Sequence, residues 1–271
     1  MSDVDYRSFI PGPEETPIVG ETAEVHAANR VKSPKVKAVF DRWRDIADQP
    51  FFGLTSNGSL RKGLFRLKRE AAPCREMARA ANNVLCALTA KEKARAQKVM
   101  NSSLWQSWQN TEIFVDNHGL RLEYAAKHVR ALVLEVIRTS LSDQGYQNAI
   151  ATMHLNGFLG ELLGAPGVLN EWSYNFCIYG EPSANEPWGW QLFGHHLALN
   201  CVSINGQMVL TPCFMGAEVN IADRGRFKGQ VMFQDEERLG LELMNSLPSK
   251  FQEKAIVGRT LSGHDLPDGR I

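Results

Sequence analysis

The hydrophobic period of this chain changes near residue 170, and that change limits the folds open to it. Between residues 129 and 137 the large aliphatic side chains fall at i, i+3, i+4, i+7 and i+8, which is the spacing of one helix face. From residue 172 to residue 178 every second residue is aromatic or aliphatic instead, which is strand periodicity. This order predicts an α+β fold in which a helical N-terminal half packs on a mainly antiparallel sheet.

The predicted elements follow from this spacing and from residues typical of helix ends and turns. Ser33-Pro34 indicates a helix start, and Gly164 indicates the end of a helix that is apolar on most sides. Asn57-Gly58 indicates a turn, and Asn205-Gly206 between two apolar segments indicates a tight hairpin. Beyond the helix that starts at Ser33-Pro34, helices are predicted over about 72–88, 91–100, 123–141, 146–163 and 235–247, and strands over about 172–179, 191–204 and 208–211.

The N-terminal segment differs from the rest of the chain. Residues 1–33 carry three prolines at 11, 13 and 17 and no sustained apolar period, so they are predicted to be an extended or disordered arm. Residues 34–271 are predicted to form one α+β domain, helical over 34–168 and sheet-containing over 169–271.

Composition excludes several classes of partner. The 30 basic and 30 acidic residues cancel, so neither nucleic acid nor an anionic membrane is an expected partner. The five cysteines include no Cys-x-x-Cys pair, and the polar, acidic N-terminus does not resemble a secretory signal. These features predict a soluble protein of a reducing compartment, the cytoplasm, with its oligomeric state left open.

The apolar helix predicted over 146–163 carries two polar residues on one face. His154 and Glu161 lie seven positions apart, so both face inward together. A buried polar group without a partner costs about 1–3 kcal/mol, so these side chains need each other, other polar groups or a metal. A satisfied structural pair and a ligand or catalytic role both remain open.

The segment PWGWQLFGHHLALN, residues 187–200, contains two adjacent histidines. On a continuous strand His195 and His196 would face opposite sides, so they could share a site only across a bulge. Small or polar neighbours, including Asn200, surround His196 on its face, which favours it as the functional residue. His195 has the apolar neighbours of a core position.

A functional histidine could act as a general base or as a metal ligand, and the local spacing does not decide between them. Trp188 and Trp190 could form an aromatic wall for an organic ligand, with Asn200 and Tyr179 as further substrate contacts. The alternative is that these aromatic rings only pack beneath the loop before them.

The chain resembles the family called domain of unknown function 3500. The resemblance rests on YNFCIYGEPSANEPWGWQLFGHHLALN (174–200) and LTPCFMGAE (210–218), with support from SWQNTEIFVDNHGLRLE (107–123), LSDQGY and MHLNGFL (within 141–159) and PFFGLTSNG (50–58). It extends over about residues 35–260 and is similar to fungal members, which continue beyond the point where this sequence stops. The resemblance therefore implies a C-terminally truncated member, and the histidine-rich character of the family implies metal binding.

We therefore expect a metal-dependent enzyme that acts on a small organic molecule, with hydrolysis favoured over redox chemistry. The predicted cofactor is a divalent metal such as zinc or iron, with His196 and Glu161 as catalytic residues. The alternatives are a non-catalytic small-molecule-binding or scaffold protein, and a helical interaction module that uses the N-terminal arm. The predicted metal ligands are His196, His154, His195 and Glu218, with Glu161 as a second candidate carboxylate.

Overall fold

The computed structural model describes residues 18–49, 59, 63, 66–114 and 116–256. The chain divides into two compact units, residues 1–230 and residues 231–271. The described part of the first unit contains α1 (Ala23–Arg30), α2 (Pro34–Ala47), α3 (Cys74–Ala87), α4 (Ala90–Ala96), α5 (Lys127–Ser140) and α6 (Asp143–Leu163). Its strands are β1 (Gln97–Lys98), β2 (Leu120–Arg121), β3 (Tyr174–Tyr179), β4 (Trp188–Gly194), β5 (Leu197–Ile204) and β6 (Gln207–Met215). The second unit contains α7 (Gln234–Ser246) and α8 (Ser249–Ala255), and together these elements confirm the α+β class.

The helix ends follow the local chemistry of the sequence. Pro34 is the first residue of α2, as predicted. The side chain of Ser142 accepts the backbone N–H of Gly145 at the start of α6, and Gly164 ends the helix in the left-handed conformation with φ 66°. Thr89 and Glu92 form a capping box at the start of α4.

The N-terminal region differs from its prediction. Residues 23–30 form α1 rather than an extended arm, and His26 and Ala27 on this helix are buried. Ala23 and Ala27 pack in an apolar cluster with Phe40, Ile113 and Phe114. Because α1 spans only eight residues, its small apolar side chains show no period that the sequence could reveal. Residues 1–17 and the predicted turn at Asn57-Gly58 lie outside the described residues.

The sheet of the first unit is mainly antiparallel and runs in the order β1-β3-β4-β5-β6, with β2 also paired to β3 and only β1 parallel to its neighbour. Alternate side chains give it one apolar face, on which Phe176, Trp190 and Leu199 are fully buried. This face belongs to the same apolar core as α3, α5 and part of α6. The indole N–H of Trp190 donates to Oγ of Ser140 on α5 at 3.1 Å, so its polar atom is satisfied inside the core.

The strand predicted over 191–204 is in fact a hairpin, which is the main correction to the sequence reading. β4 ends at Gly194, β5 begins at Leu197, and these two residues are paired across the sheet. His195 and His196 therefore form a two-residue turn rather than opposite faces of one strand. The prediction failed because apolar alternation continues on both sides of the turn and hides the break.

The second hairpin confirms its prediction. Asn205 and Gly206 both have positive φ, 46° and 81°, and they connect β5 to β6. Strand β6 continues to Met215, past the end predicted near Pro212, and its pairing with β5 shifts between Leu199 and Cys201.

Within the described residues, no helix combines the length and the apolar character needed to cross a bilayer.

Candidate metal centre

The turn between β4 and β5 holds two histidine side chains beside each other. Of the two, only His196 has a positive φ, 57°. A two-residue turn with positive φ at its second residue favours Gly or Asn there, because a Cβ crowds the backbone in this conformation. The ring centroids of His195 and His196 lie 4.0 Å apart. The imidazole of His196 therefore occupies a position where the backbone alone would favour glycine.

Three separate segments fix the backbone of this turn. The hydroxyl of Tyr174 on β3 donates to the carbonyl of His195 at 3.1 Å. The N–H of His196 donates to the carbonyl of Asn110 at 3.0 Å, and the N–H of Gly216 donates to the carbonyl of His196 at 2.8 Å. The two imidazoles are therefore positioned by a rigid backbone, as a preorganised site requires.

Glu218 brings a carboxylate to the same place from the segment after β6. Its Oε1 lies 3.4 Å from Nε2 of His195 and 3.3 Å from Nε2 of His196. Among the residues that the structure describes, these three form the one group of His, Cys, Asp or Glu side chains whose ligand atoms all lie within 4.8 Å of one another. His195 is buried, with 7% of its side chain exposed, whereas His196 and Glu218 are 26% and 53% exposed. The site is therefore reached from the solvent side.

The distances at Glu218 are those of long hydrogen bonds or ion pairs, and they are also compatible with ligands of one cation. Charge-assisted hydrogen bonds are usually about 2.7–2.9 Å long, and both contacts to Glu218 are longer. Zinc–nitrogen and zinc–oxygen bonds of about 2.0–2.2 Å give tetrahedral ligand–ligand edges of about 3.3–3.5 Å. Both nitrogen–oxygen distances at Glu218 fall in that range.

Asn156 on α6 decides which nitrogen of His195 is free. Nδ2 of Asn156 donates to the carbonyl of Asn170 at 2.8 Å, and since a carbonyl only accepts, the amide orientation is fixed. Oδ1 of Asn156 then lies 2.9 Å from Nδ1 of His195 and must accept a hydrogen from it. In the neutral ring Nε2 therefore carries the lone pair, and it faces Glu218. Such an outer hydrogen bond is the usual way to orient a metal-binding histidine.

The electrostatics at Glu218 agree with this geometry. Hydrogen bonding with the rings of His195 and His196 holds the pKa of the Glu218 carboxyl well below its usual range, against the opposing effect of burial. Nε2 of His196 can donate to the carboxylate from a neutral ring, whereas in the neutral ring of His195 the Nε2 atom carries the lone pair. A cation shared by the three ligand atoms would satisfy the carboxylate with both rings neutral.

A second carboxylate, Glu112, lies two residues after Asn110, whose carbonyl accepts the N–H of His196. Burial raises the pKa of the Glu112 carboxyl, but hydrogen bonds from His26 and from its own backbone N–H, together with the charges of His195 and His26, outweigh burial and lower the pKa overall. Nε2 of His26 lies 3.4 Å from Oε1 of Glu112, and its Nδ1 lies 3.0 Å from Oε2 of Glu21. Helix α1 thus supplies a buried histidine between two carboxylates.

The sequence of residues 70–268 matches the family described as "Protein of unknown function (DUF3500)". The chain belongs to this family. The match covers most of the chain, including all three residues of the His195–His196–Glu218 group, and it confirms the resemblance seen in the sequence. No curated protein and no solved structure matches the chain.

This DUF3500 chain does not bring His154 and Glu161 into the three-residue group. Nδ1 of His154 lies 3.1 Å from Oε1 of Gln230, and its ring stacks on Phe227. The carboxylate of Glu161 lies 3.9 Å from Nε of Arg226. Each side chain therefore contacts the segment at residues 226–230, and the two do not form the pair that the sequence left open for them.

The predicted substrate contacts of the DUF3500 chain are buried. Trp188 and Trp190 are completely inaccessible on the apolar face of the sheet, so they form no wall for a ligand. On the other face, the hydroxyl of Tyr179 donates to Oε1 of Gln191 at 2.6 Å, and Nε2 of Gln191 donates to Oδ1 of Asn200 at 2.7 Å. Asn200 in turn donates to the carbonyl of Pro212. These predictions failed because the face of each side chain was read without knowing what covers it.

Two contributors to the DUF3500 site were missed. Asn110 lies in the quoted segment 107–123, so the resemblance itself contained the only sequence signal for it. Asn156 lies two residues after His154 on α6, and nothing in the periodicity distinguishes it. Of the four predicted metal ligands, the structure brings together His195, His196 and Glu218.

Proposed function

We propose that this chain is a metal-dependent enzyme in which His195, His196 and Glu218 bind one divalent cation and activate water for hydrolysis of a small organic molecule. The observation that carries the proposal is that three ligand atoms lie within 4.8 Å of one another. Two of them belong to a turn with a fixed backbone, and the third belongs to Glu218 after β6. Two histidines and one carboxylate are a recognised catalytic ligand set, for zinc in hydrolases and for non-haem iron in oxygenases.

The chemistry of such a site follows from its ligand number. Three protein ligands leave a coordination position for water or substrate, and a bound zinc ion lowers the pKa of that water to about 7. The protein's part is to hold the ligands in place and to keep Nε2 of His195 unprotonated, which Asn156 supports through the opposite nitrogen. Hydrolysis is favoured over redox chemistry only because this ligand set suits zinc as readily as iron or copper.

The setting of the proposed enzyme is a reducing compartment such as the cytoplasm. All five cysteines, which lie among the described residues, are free thiols. We also propose that the chain is a fungal-type member of the family, because its sequence is similar to those members.

The test is metal binding by protein purified without an affinity tag. We expect about one zinc or iron ion per chain by elemental analysis, and retention of that ion on dialysis. His195→Ala, His196→Ala and Glu218→Gln should each lose the stoichiometric metal. His154→Ala separates the present site from the sequence prediction, because it should retain the metal.

His128→Ala is the matched control, since His128 is exposed on α5 and outside the group. Circular dichroism must show that every variant is folded. If folded wild-type protein binds neither Zn²⁺ nor Fe²⁺ when either is supplied in excess, the proposal is wrong and the non-catalytic alternative stands. Metal loss on His154→Ala but not on His196→Ala would reject this ligand set.

A further inference from the structure

We propose that a surface cavity between α5 and Trp172 is a binding site for an aromatic carboxylate. Five residues line this cavity: Lys127, Arg130, Ala131, Leu134 and Trp172. The proposed metal ligands are not among them, so this binding site is independent of the metal centre.

The cavity has the size and the walls of a small-molecule site. Its volume is about 370 Å³, and ligand sites usually measure about 300–1,000 Å³. Lys127, Arg130 and Leu134 lie at i, i+3 and i+7 on one face of α5, so the lining changes from basic to apolar along the helix. Leu134 and Trp172 also pack against the main apolar core, which fixes the apolar wall.

Arg130 supplies a half-buried positive charge to the cavity. Its Nε donates to the carbonyl of Ala125 at 2.9 Å and its Nη2 to the carbonyl of Glu123 at 2.6 Å, so the guanidinium is held in place. Within the described ranges it forms no ion pair with a carboxylate. Arg121 is the other described arginine that is not exposed, and it lies 3.3 Å from the carboxylate of Glu123. An anionic ligand would give Arg130 the partner that Arg121 already has.

Lys127 places a second positive charge at the same end of the cavity. It is exposed, it is the first residue of α5, and no carboxylate of the described part of the chain pairs with it. The first turn of α5 contains no acidic residue. Residues three apart on a helix are neighbours, so the charges of Lys127 and Arg130 repel each other. A carboxylate bound between them would offset this repulsion.

The aromatic part of the proposed ligand follows from the other walls. Cζ of Arg130 lies 4.9 Å from the centroid of the Trp172 ring, so a guanidinium and an indole lie together in the lining. Both groups stack on flat aromatic rings. Inorganic phosphate would leave the apolar wall uncovered, and a neutral aromatic molecule would leave the two cations unpaired. A flat ring with one carboxylate satisfies both parts of the cavity.

Isothermal titration calorimetry of the full chain tests the ligand class. We expect one 2-naphthoate per chain with a dissociation constant of about 1 mM or lower, the scale for a ligand of this size. Three probes each lack one feature: 2-naphthalenemethanol lacks the charge, octanoate lacks the ring, and inorganic phosphate lacks an apolar body. Each should bind at least about threefold more weakly. Absence of saturable 2-naphthoate binding, or equal affinity for any of the three other probes, would overturn the assignment.

Charge variants test the location of the site. Lys127→Gln should weaken 2-naphthoate binding by about three- to fivefold, and Lys127→Glu by more than about tenfold, because it also repels the carboxylate. Lys91→Gln is the matched control, since Lys91 is an exposed lysine in the first turn of α4 and does not line the cavity. Wild-type affinity in Lys127→Glu would show that the ligand binds elsewhere.

A neutral variant tests the apolar part of the cavity. Ala131 is exposed and is the fifth residue of α5, so Ala131→Phe fills the cavity without disturbing the core. It should weaken 2-naphthoate binding by about tenfold or more. Ala38→Phe is the control, because Ala38 is exposed and is the fifth residue of α2, another helix of 14 residues. Equal affinities of the two variants, both shown to be folded by circular dichroism, would contradict the proposal.

Metal content separates this proposal from the proposed function. Lys127→Glu and Ala131→Phe should retain the same zinc content as wild type, because neither residue belongs to the metal-binding group. Loss of zinc together with loss of 2-naphthoate binding would mean that the ligand is held at the metal centre, and the cavity would be rejected as its site.

Discussion

Oδ1 of Asn156 lies 2.9 Å from Nδ1 of His195, and this contact determines which nitrogen of that ring can bind a cation. The orientation of the amide is not arbitrary, because its NH₂ group donates to the carbonyl of Asn170. A residue on α6 thus controls the proton of a residue in the turn between β4 and β5. The first prediction follows from this relationship.

Asn156→Ala should weaken zinc binding by about 10–100-fold, the usual effect of losing a hydrogen bond behind a metal-binding histidine. Asn156→Asp keeps an acceptor for Nδ1 and should bind zinc more tightly than Asn156→Ala does. Competition with a chromogenic chelator measures both affinities. Equal affinities for wild type and Asn156→Ala would show that the amide does not set the tautomer.

The second prediction separates the backbone role of position 196 from its ligand role. His196 has φ 57°, where a Cβ costs about 1–2 kcal/mol, so metal-free His196→Gly should be more stable than His196→Ala by about 1 kcal/mol after the greater chain entropy of glycine is allowed for. Urea denaturation measures the difference, and both variants should fail to bind zinc. Equal stabilities would mean that the turn relaxes when the imidazole is removed.

Stability at acid pH should depend on Glu218. The pKa of its carboxyl lies below the usual 4.5 in the folded protein, because hydrogen bonding with His195 and His196 favours the ionised form. As the pH falls, Glu218 therefore binds a proton in the unfolded chain before it does so in the folded chain. The stabilisation that ionised Glu218 contributes is complete above about pH 5 and is lost as the pH falls below the usual pKa of the carboxyl. In metal-free protein the free energy of unfolding should fall more steeply below pH 5 for wild type than for Glu218→Gln. Parallel curves from urea titrations at several pH values would contradict this.

The cysteines should react in an order set by exposure and thiolate content. Burial raises the pKa of the Cys177 and Cys201 thiols to about 12, and it also raises that of Cys213, although this side chain is exposed. At pH 8 with Ellman's reagent, Cys86 should react first and Cys213 more slowly, since only the thiolate attacks. The buried thiols should react only after unfolding. Cys86→Ser identifies the fast phase, and a fast phase that survives this change would contradict the order.

Trp190 should act on stability rather than on ligand binding. Its ring is fully buried and its N–H bonds Ser140, so Trp190→Ala should lower the free energy of unfolding by about 3–5 kcal/mol. If the variant is still folded, its zinc affinity should stay close to that of wild type. A stability loss below 1 kcal/mol would mean that the ring is not part of the core.

The sequence predicted the turns and helix ends that neighbouring residues specify by their own conformational preferences. Asn205-Gly206 specifies a turn by itself, because both residues tolerate positive φ, and Gly164 specifies a helix end for the same reason. His195-His196 carries no such signal, so the turn it forms was read as strand. Histidine identity singled out two residues that the structure brings together with Glu218, and the strand geometry inferred for them was wrong.

The rest of the candidate site depends on contacts between distant parts of the chain. Asn110 bonds His196 and Asn156 bonds His195 from segments 86 and 39 residues away in sequence. Periodicity describes one element at a time and cannot report which elements meet. His154 shows the converse, since it lies on the same helix as Asn156 and yet turns to Gln230.

Three hydrogen bonds fix the backbone of the histidine turn, and they involve the hydroxyl of Tyr174 on β3, the carbonyl of Asn110 and the N–H of Gly216 after β6. No short fragment of the chain contains all three donors and acceptors, so the proposed cation site forms only when β3, β4, β5 and β6 are paired and the segment at Asn110 is in place. A cation that binds there would draw the equilibrium towards the completely folded chain by mass action. Metal uptake during refolding would then serve as a reporter of the last step of assembly.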